Sequence, residues 1–205
     1  MNLRHDSGPG RLTEKIRSEF IRVGVEDGNM TECEANDPGA LSLFAPQDRA
    51  APMYFWQLHS VLGEDLLDRM ITSFYSSVLG DDDAPWFRDA FAELGGLRYH
   101  VRGQLRFWMD VLGGRGDYRP GEKGLRIHHD TAREVMTERG AMQWMFHMNR
   151  TIRRFSSELR SADPRSIDCM REFLVFFVEK YGAQFDFNFK DFDFDLNAKP
   201  TRARL

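Results

Sequence analysis

The chain has 205 residues, a formal net charge of −4 and 41% hydrophobic residues, which suffices for one domain with tails. The acidic balance argues against binding to nucleic acid. No apolar run reaches the roughly 18 residues of a membrane span, so we predict no transmembrane segment. Cys33 and Cys169 lie far apart and outside any metal-binding spacing. They favour a reduced, intracellular, cytoplasmic protein, while the arginines near the N-terminus leave a mitochondrial location open.

The first fifty residues differ in composition from the rest of the chain. The segment "TEKIRSEFIRVG" (13–24) predicts a short amphipathic helix capped by Thr13. The acidic, turn-rich segment 26–40 predicts a linker. We therefore expect residues 1–50 to form an N-terminal extension that is partly disordered.

From Pro52 onward the apolar residues recur at helical spacing. Glycines and an Asp-rich turn at 81–87 interrupt this pattern, and Ser166 is placed to cap the last helix. The predicted helices are 52–63, 64–80, 97–114, 125–136, 141–159 and 167–185. These elements predict an all-α domain over residues 52–185.

Residues 186–205 form a predicted C-terminal arm that is rich in phenylalanine. In "FDFNFKDFDFDL" (185–196) phenylalanine alternates with polar residues, which would place several rings on one face of an extended chain. Two interpretations stay open. The rings lie on the chain's own surface, because so many exposed phenylalanines would make a sticky patch, or they form a docking arm for another subunit.

Two polar side chains lie on the apolar stripe of the predicted helix 97–114. His100 and Gln104 share a face with aromatic and aliphatic residues, and buried polar groups need hydrogen-bond partners. Tyr75 raises the same question on the helix 64–80. Each of the three is more often structural when taken alone, but together they can converge on one polar ligand atom.

His128 and His129 stand side by side after a long loop. In a helix such neighbours point about 100° apart, so they do not bind one metal together. One axial histidine, an apolar pocket and a few polar groups suffice for haem, because the porphyrin supplies the remaining ligands. This fits a sequence that has no HxxE, HxH or CxxC pattern. Helix phase does not decide which histidine would be the ligand.

Over residues 52–185 the sequence resembles the truncated haemoglobins, the compact two-over-two globins, and among them group II. Four pieces carry the resemblance, in the family's order and at nearly its spacings. The first, "LGEDLLDRMITSFYSSV" (62–78), has a glycine corner and a helix that ends with Phe-Tyr. The second, "FWMDVLGGRGDY" (107–118), has an aromatic helix end, Gly-Gly and a later Tyr. The third, "LRIHH" (125–129), contains Leu-Arg-x-x-His, and the fourth, "QWMFHMNRTI" (143–152), contains a tryptophan.

The resemblance implies a haem b whose iron is bound by His129, with His128 in the neighbouring variable position beside the cofactor. Arg126 would pair with a haem propionate, and Tyr118 would support the same edge. Phe87 would pack on the haem plane. These residues make up the implied proximal side and floor of the pocket.

On the distal side the resemblance implies four hydrogen-bond donors, Tyr75, His100, Gln104 and Trp144. They would hold a diatomic gas ligand (O2, NO or CO) by charge-assisted hydrogen bonds. Tight holding of the ligand implies nitric oxide dioxygenation or peroxide chemistry more than oxygen transport. His100 could also bind the iron itself.

Departures from the family pattern keep other functions open. Leu62 replaces one glycine of the usual corner pair, and the segment between His129 and Trp144 is longer than in the family. The first alternative is a haem-free globin fold that serves as an accessory subunit through the N-terminal extension and residues 185–196. The second is an unrelated helical bundle in which the histidines are structural.

Overall fold

The computed structural model of the protein describes residues 9–114 and 133–189. Within these ranges the chain is helical and has no strand, which confirms the predicted all-α class, while the two-over-two arrangement stays a prediction. The helices are α1 (Arg11–Glu26), α2 (Glu32–Ala35), α3 (Pro38–Leu41), a 3-10 turn (Phe55–Gln57), α4 (Leu58–Leu79), α5 (Pro85–Leu94), α6 (Leu97–Val111), α7 (Glu138–Arg154), α8 (Ser156–Ala162) and α9 (Ser166–Phe185).

Helix α1 starts earlier than predicted, and its N-cap is Gly10. The prediction that Thr13 caps it is therefore wrong. Thr13 lies inside the first turn and is fully buried, where its hydroxyl donates to the Asp110 carbonyl at the end of α6. The Thr13 backbone N–H donates to Asp110 Oδ1 at 3.3 Å. A side chain from a distant helix thus satisfies one of the free N–H groups at the start of α1.

The predicted linker contains two single-turn helices, α2 and α3. Thr31 and Glu34 form a capping box on α2, in which each side chain bonds the backbone of the other residue. Asp37 accepts hydrogen bonds from the first N–H groups of α3. Local capping therefore gives structure to a segment whose composition alone indicates a turn-rich connection.

Helix α4 is interrupted at Gly63, where the sequence predicts the end of one helix and the start of the next. Gly63 has φ 70° and ψ 172°, a conformation that glycine adopts readily and other residues do not. The segment after it buries the predicted stripe on its inner face: Leu67, Met70, Ile71, Phe74 and Val78.

Helix α5 has no counterpart among the predicted helices. Residues 81–87 are predicted to form a turn, because Asp and Pro break helices. Pro85 instead occupies the first turn of α5, where its missing N–H costs nothing and its fixed φ suits a helix. The predicted turn therefore ends at Ala84, and the helix begins at Pro85.

The predicted helix 141–159 is divided into α7 and α8 at Phe155. The prediction that Ser166 caps the last helix is also wrong. The N-cap of α9 is Arg165, and within residues 9–114 and 133–189 the buried Ser166 hydroxyl has no hydrogen-bond partner.

Helix α4 lies at the centre of the packing. It contacts α5, α6 and α7. Helix α9 packs against α7, α8 and α4. The largest fully buried rings of the core are Phe55, Trp56, Phe87 and Phe173.

Residues 9–50 pack against this core. The Phe20 ring of α1 lies 5.2 Å from Phe55 and 5.2 Å from Phe176, in edge contacts. The Trp56 indole Nε1 donates to the Ala40 carbonyl at 2.8 Å. The N-terminal extension of the predicted domain division, 1–50, thus contains helices whose apolar faces are buried on the 52–185 body.

At the other end α9 ends at Phe185, and Asp186 takes a left-handed conformation with φ 59°. Phe187 and Phe189 are partly buried against the core without forming a strand, so the alternation in 185–189 does not mark an extended ladder. The remaining phenylalanines of the arm lie outside the described residues, and its role as a docking arm stays a prediction. In the part of the chain that the structure describes, no helix is long and apolar enough to cross a membrane.

Candidate functional site

Two of the predicted distal residues meet between α4 and α6. The Tyr75 and His100 rings are stacked, with centroids 4.9 Å apart and planes inclined by 12°. Both side chains are buried, at 5% and 6% exposure. They come together because each lies on the inner face of its helix and the two helices pack against each other.

Helix α5 completes the surroundings of this pair. The Phe91 ring lies 6.1 Å from the Tyr75 ring and 5.7 Å from the His100 ring. The Phe91 carbonyl oxygen lies 2.8 Å from His100 Nε2. A carbonyl only accepts, so His100 is assigned the tautomer in which Nε2–H donates and Nδ1 keeps the lone pair.

The other two predicted distal residues lie further from this pair. Gln104 is half-buried one turn after His100 on α6. Trp144 is buried on α7, and its ring makes an edge contact with Phe74 at 5.5 Å. The structure therefore brings Tyr75 and His100 into contact, and Phe74 contacts both Tyr75 and Trp144.

Phe87, which the resemblance places on the haem plane, is fully buried at the start of α5. Its ring lies 4.9 Å from Phe91 and 5.4 Å from Trp86. A third neighbour, His147, is stacked on it at 6.0 Å with an inclination of 5°. Phe87 thus joins the distal pair to a second polar cluster.

The proximal residues of the prediction, Tyr118, Arg126, His128 and His129, lie outside the described residues. Their roles, including that of the axial ligand, stay predictions. Within the ranges 9–114 and 133–189 no group of three or more His, Cys, Asp or Glu side chains is placed to hold a metal ion. A haem needs no such group, since it requires one or two axial ligands from the protein.

The second polar cluster was missed by the sequence analysis. His147 of α7 is fully buried, with Nε2 2.9 Å from Asp81 Oδ2 and Nδ1 2.8 Å from Ser77 Oγ. Gln143 Nε2 donates to the same Asp81 oxygen at 2.6 Å. Gln143 and His147 are spaced i, i+4 on an apolar helix, which was the one available signal. Asp81 is too distant in sequence to be associated with them.

The connectivity of this cluster is that of a hydrolytic triad. The imidazole Nε2–H donates to the Asp81 carboxylate, so Nδ1 accepts from the Ser77 hydroxyl. In a hydrolase, however, the imidazole must also deliver a proton to the leaving group. His147 is completely buried, so no substrate atom can reach it, and the cluster serves to hold α4, the 80–84 turn and α7 together.

A cleft of about 310 Å³ opens between α5 and the segment that precedes α7. It is lined by Trp86, Ala90, Glu93, Leu94, Glu134 and Val135. The Arg139 guanidinium lies 4.2 Å above the Trp86 ring, in a cation–π contact. Helix α5, which also carries Phe87 and Phe91, forms one wall of this cleft, and the cleft opens to solvent.

His59 has an unusual environment near the start of α4. Its Nε2 is buried and has no hydrogen-bond partner among the residues that the structure describes. Burial lowers the pKa of His59, and the nearby Glu64 carboxylate partly opposes that shift. The ring is therefore held neutral near pH 7, on the face of α4 that adjoins the Gly113-Gly114 turn.

No protein-family model, curated protein or solved structure matches this chain. The function is therefore inferred from the side chains described above and from the motifs of the sequence.

Proposed function

We propose that the protein binds haem b in a globin-like pocket and takes a diatomic gas on the side of Tyr75 and His100. The observation that carries this proposal is the stacked, buried pair of a phenol and an imidazole between α4 and α6. These two side chains bring hydrogen-bonding groups into an aromatic core beside Phe74 and Phe91, where a buried phenol usually has a hydrogen-bond partner.

The chemistry of the described donors fits haem. A haem site needs apolar walls and a few hydrogen-bond donors near the iron. Phe74 and Phe91 contact the Tyr75 ring, Phe87 packs on Phe91, and the Trp144 indole contacts Phe74. The contacts of α4 with α6 and α7, and of α9 with α7, also support a two-over-two arrangement.

When bound, haem supplies an iron that takes O2, NO or CO and that changes its redox state by one electron. In this proposal His129 holds the iron, with His128 beside it, Arg126 pairs with a propionate, and Tyr118 supports that edge.

Tyr75 is the principal donor to the gas ligand. The Nε2–H of His100 is already committed to the Phe91 carbonyl, so in this arrangement it has no proton to offer. The His100 ring instead fixes the plane of the Tyr75 ring by stacking. Tyr75 then contributes about 1–3 kcal/mol to retention of a ligand that carries partial negative charge, as suits nitric oxide dioxygenation or peroxide chemistry.

The test is a titration of the purified chain with hemin, followed by absorption. We expect a Soret band that saturates at one haem per chain and that weakens in His129→Ala but not in His128→Ala. Tyr75→Phe should then release O2 about tenfold faster, the change that corresponds to roughly 1.4 kcal/mol. Tyr99→Phe is the matched control, since Tyr99 is 63% exposed on the same helix as His100.

One observation favours the alternative, a haem-free accessory subunit. The His100 imidazole is hydrogen-bonded and stacked within the chain, so it is satisfied without any ligand. In that function the contact surface would include the exposed Phe44 of the N-terminal extension, which is 64% exposed, and residues 185–196. A hemin titration that shows no saturable binding under reducing conditions would select this alternative.

A further inference from the structure

Three arginines form a row on the outer face of α6. Arg98, Arg102 and Arg106 are spaced i, i+4 and i+8 and are all exposed, so they follow one another along one face over about 12 Å. Gly103 lies beside the row with open space above it. Tyr99, which directly follows Arg98, is 63% exposed and lies beside the arginine row.

None of these three arginines forms an ion pair in the described part of the chain, where two other exposed arginines do. Arg22 pairs with Glu26 at 2.5 Å, and Arg69 pairs with Glu158. The chain as a whole has a net charge of −4. An uncompensated cationic row on an acidic protein attracts an acidic surface, and the attraction is local to that face.

The same helix carries the proposed ligand side on its inner face. His100 points inward and is 6% exposed, between Arg98 and Arg102 in sequence. A partner seated on the row would lie one helix thickness from the pocket, about 10 Å. That is close enough for electrons to pass between proteins without a substrate channel.

We propose that Arg98, Arg102 and Arg106 are the docking site for an acidic one-electron donor protein. The proposal rests on the proposed haem function, since a haem that takes O2 must be kept ferrous. In the step itself one electron leaves the reduced donor and converts the ferric iron to ferrous. No bond forms or breaks and no proton moves.

A nucleic acid is a poorer occupant than an acidic protein. Binding of nucleic acid depends on neutralising many phosphates, and the acidic balance of this chain opposes an extended polyanion. A short row of three cations with an adjacent exposed tyrosine suits a compact protein interface, where arginine and tyrosine are the commonest residues of high energetic weight.

The first test is equilibrium binding and does not require haem. The probe is an acidic plant-type [2Fe–2S] ferredoxin, titrated into the full chain at low ionic strength. The triple variant Arg98→Gln, Arg102→Gln, Arg106→Gln should bind about tenfold more weakly, and wild-type binding should weaken with added salt. The matched control is Lys15→Gln, Arg154→Gln, Arg160→Gln, which removes the same charge from other exposed positions and should bind as wild type does.

The second test uses the haem-loaded protein and measures how fast reduced ferredoxin reduces it. The row variant should be reduced about tenfold more slowly than the control variant. Equal effects of the two triple variants, no ferredoxin binding at low salt, or displacement of ferredoxin by an equimolar oligonucleotide would each overturn the docking proposal. If the chain takes up no haem, the proposed function fails while the binding titration still decides whether the row docks an acidic protein.

Discussion

The His147 imidazole is completely buried, yet both of its ring nitrogens have hydrogen-bond partners. The ring also stacks on Phe87. Its partner Asp81 is 4% exposed, and its Oδ2 accepts from His147 and Gln143 while its Oδ1 accepts from the Asp83 backbone N–H. A buried carboxylate that loses a donor bears the full cost of its desolvation, which exceeds the gain from an average hydrogen bond.

We therefore expect His147→Phe to lower the free energy of unfolding by about 3 kcal/mol, because it keeps an aromatic ring against Phe87 but removes a donor from Asp81. Ser77→Ala removes one hydrogen bond and leaves Asp81 paired, so it should cost about 1 kcal/mol. Urea unfolding of the two variants measures both values. Equal losses would contradict the central role of the buried carboxylate.

The two cysteines differ in reactivity for reasons that the structure makes explicit. Cys33 is exposed and Cys169 is buried, with its thiol donating to the Met53 carbonyl at 2.8 Å. Burial raises the pKa of Cys169 from 9.0 to about 12, and the nearby Glu172 adds to the shift. The thiolate, which is the reactive form, is thus scarce at Cys169 at mildly alkaline pH.

Iodoacetamide should accordingly modify Cys33 first in the folded chain and Cys169 only on unfolding, as mass spectrometry can follow. The direction of the pKa shift determines how the stability changes with pH. The folded state holds the Cys169 proton more tightly, so this group lowers stability as pH rises from about 9 towards 12. Cys169→Ala should lose that part of the alkaline destabilisation. Modification of Cys169 at the rate of Cys33 would contradict the argument.

At the scale of the helices, the sequence predicts an element and its buried face best where the apolar stripe is long. The inner faces of α4 and α6 follow the helical period, and the Tyr75 and His100 positions were identified from those stripes. Helix α5 was missed because Pro85 looks like a breaker when its place in the helix is unknown. The His100 contact with Phe91 was beyond reach for another reason. Its acceptor is a backbone carbonyl, which every residue has and no motif marks.

The Asp81 and His147 contact was missed because it joins residues of two elements that are 66 positions apart. Its formation depends on how α4 and α7 cross, and local propensity does not determine a crossing. Thr13 was misjudged for a similar reason, since its partner Asp110 is 97 positions away. Local patterns thus predicted the elements and two donors, whereas the polar clusters depend on tertiary packing.

The turn after α6 provides a prediction at this scale. Gly113 has φ 90°, and a Cβ there would collide with the Trp56 carbonyl oxygen. We expect Gly113→Ala to cost more than about 3 kcal/mol of stability, because both backbone conformation and a close contact with the 3-10 turn are lost.

Gly103 is the matched control for this change. It lies inside α6 with nothing near its Cβ position, so Gly103→Ala should raise stability by about 0.5–1 kcal/mol through better helix propensity. Thermal unfolding of both variants measures the difference. Similar melting temperatures for the two would show that the 113–114 turn tolerates rearrangement.

In the whole molecule, the N-terminal helices are part of the packed body. Phe20 packs on Phe55 and Phe176, and Glu19 pairs with Lys180 of α9. Arg165 holds the 46–51 connection by donating to the Pro46 and Ala51 carbonyls at 2.9 and 2.7 Å. Helix α1 therefore contacts both the beginning of the 52–185 body, at Phe55, and its last helix, α9.

Thr13→Val tests this fastening, since it keeps the shape of the side chain and removes its hydroxyl from the Asp110 carbonyl. We expect a loss of about 1 kcal/mol in the free energy of unfolding and faster proteolysis between α1 and α4. Ser18→Ala on the exposed side of α1 should change neither quantity. An unchanged proteolysis rate in Thr13→Val would show that α1 is held by its apolar face alone.

The position of α1 also constrains the order in which the chain can be completed during synthesis. Its ring partner Phe176 and its ion-pair partner Lys180 belong to α9, which the ribosome makes more than 150 residues later. Phe55 and Asp110 are made earlier and can already contact α1, but the part of its apolar face that packs on Phe176 stays uncovered until α9 emerges. The packing of α1 is therefore completed only after α9 has been made, and until then one side of the Phe20 ring remains accessible to chaperones.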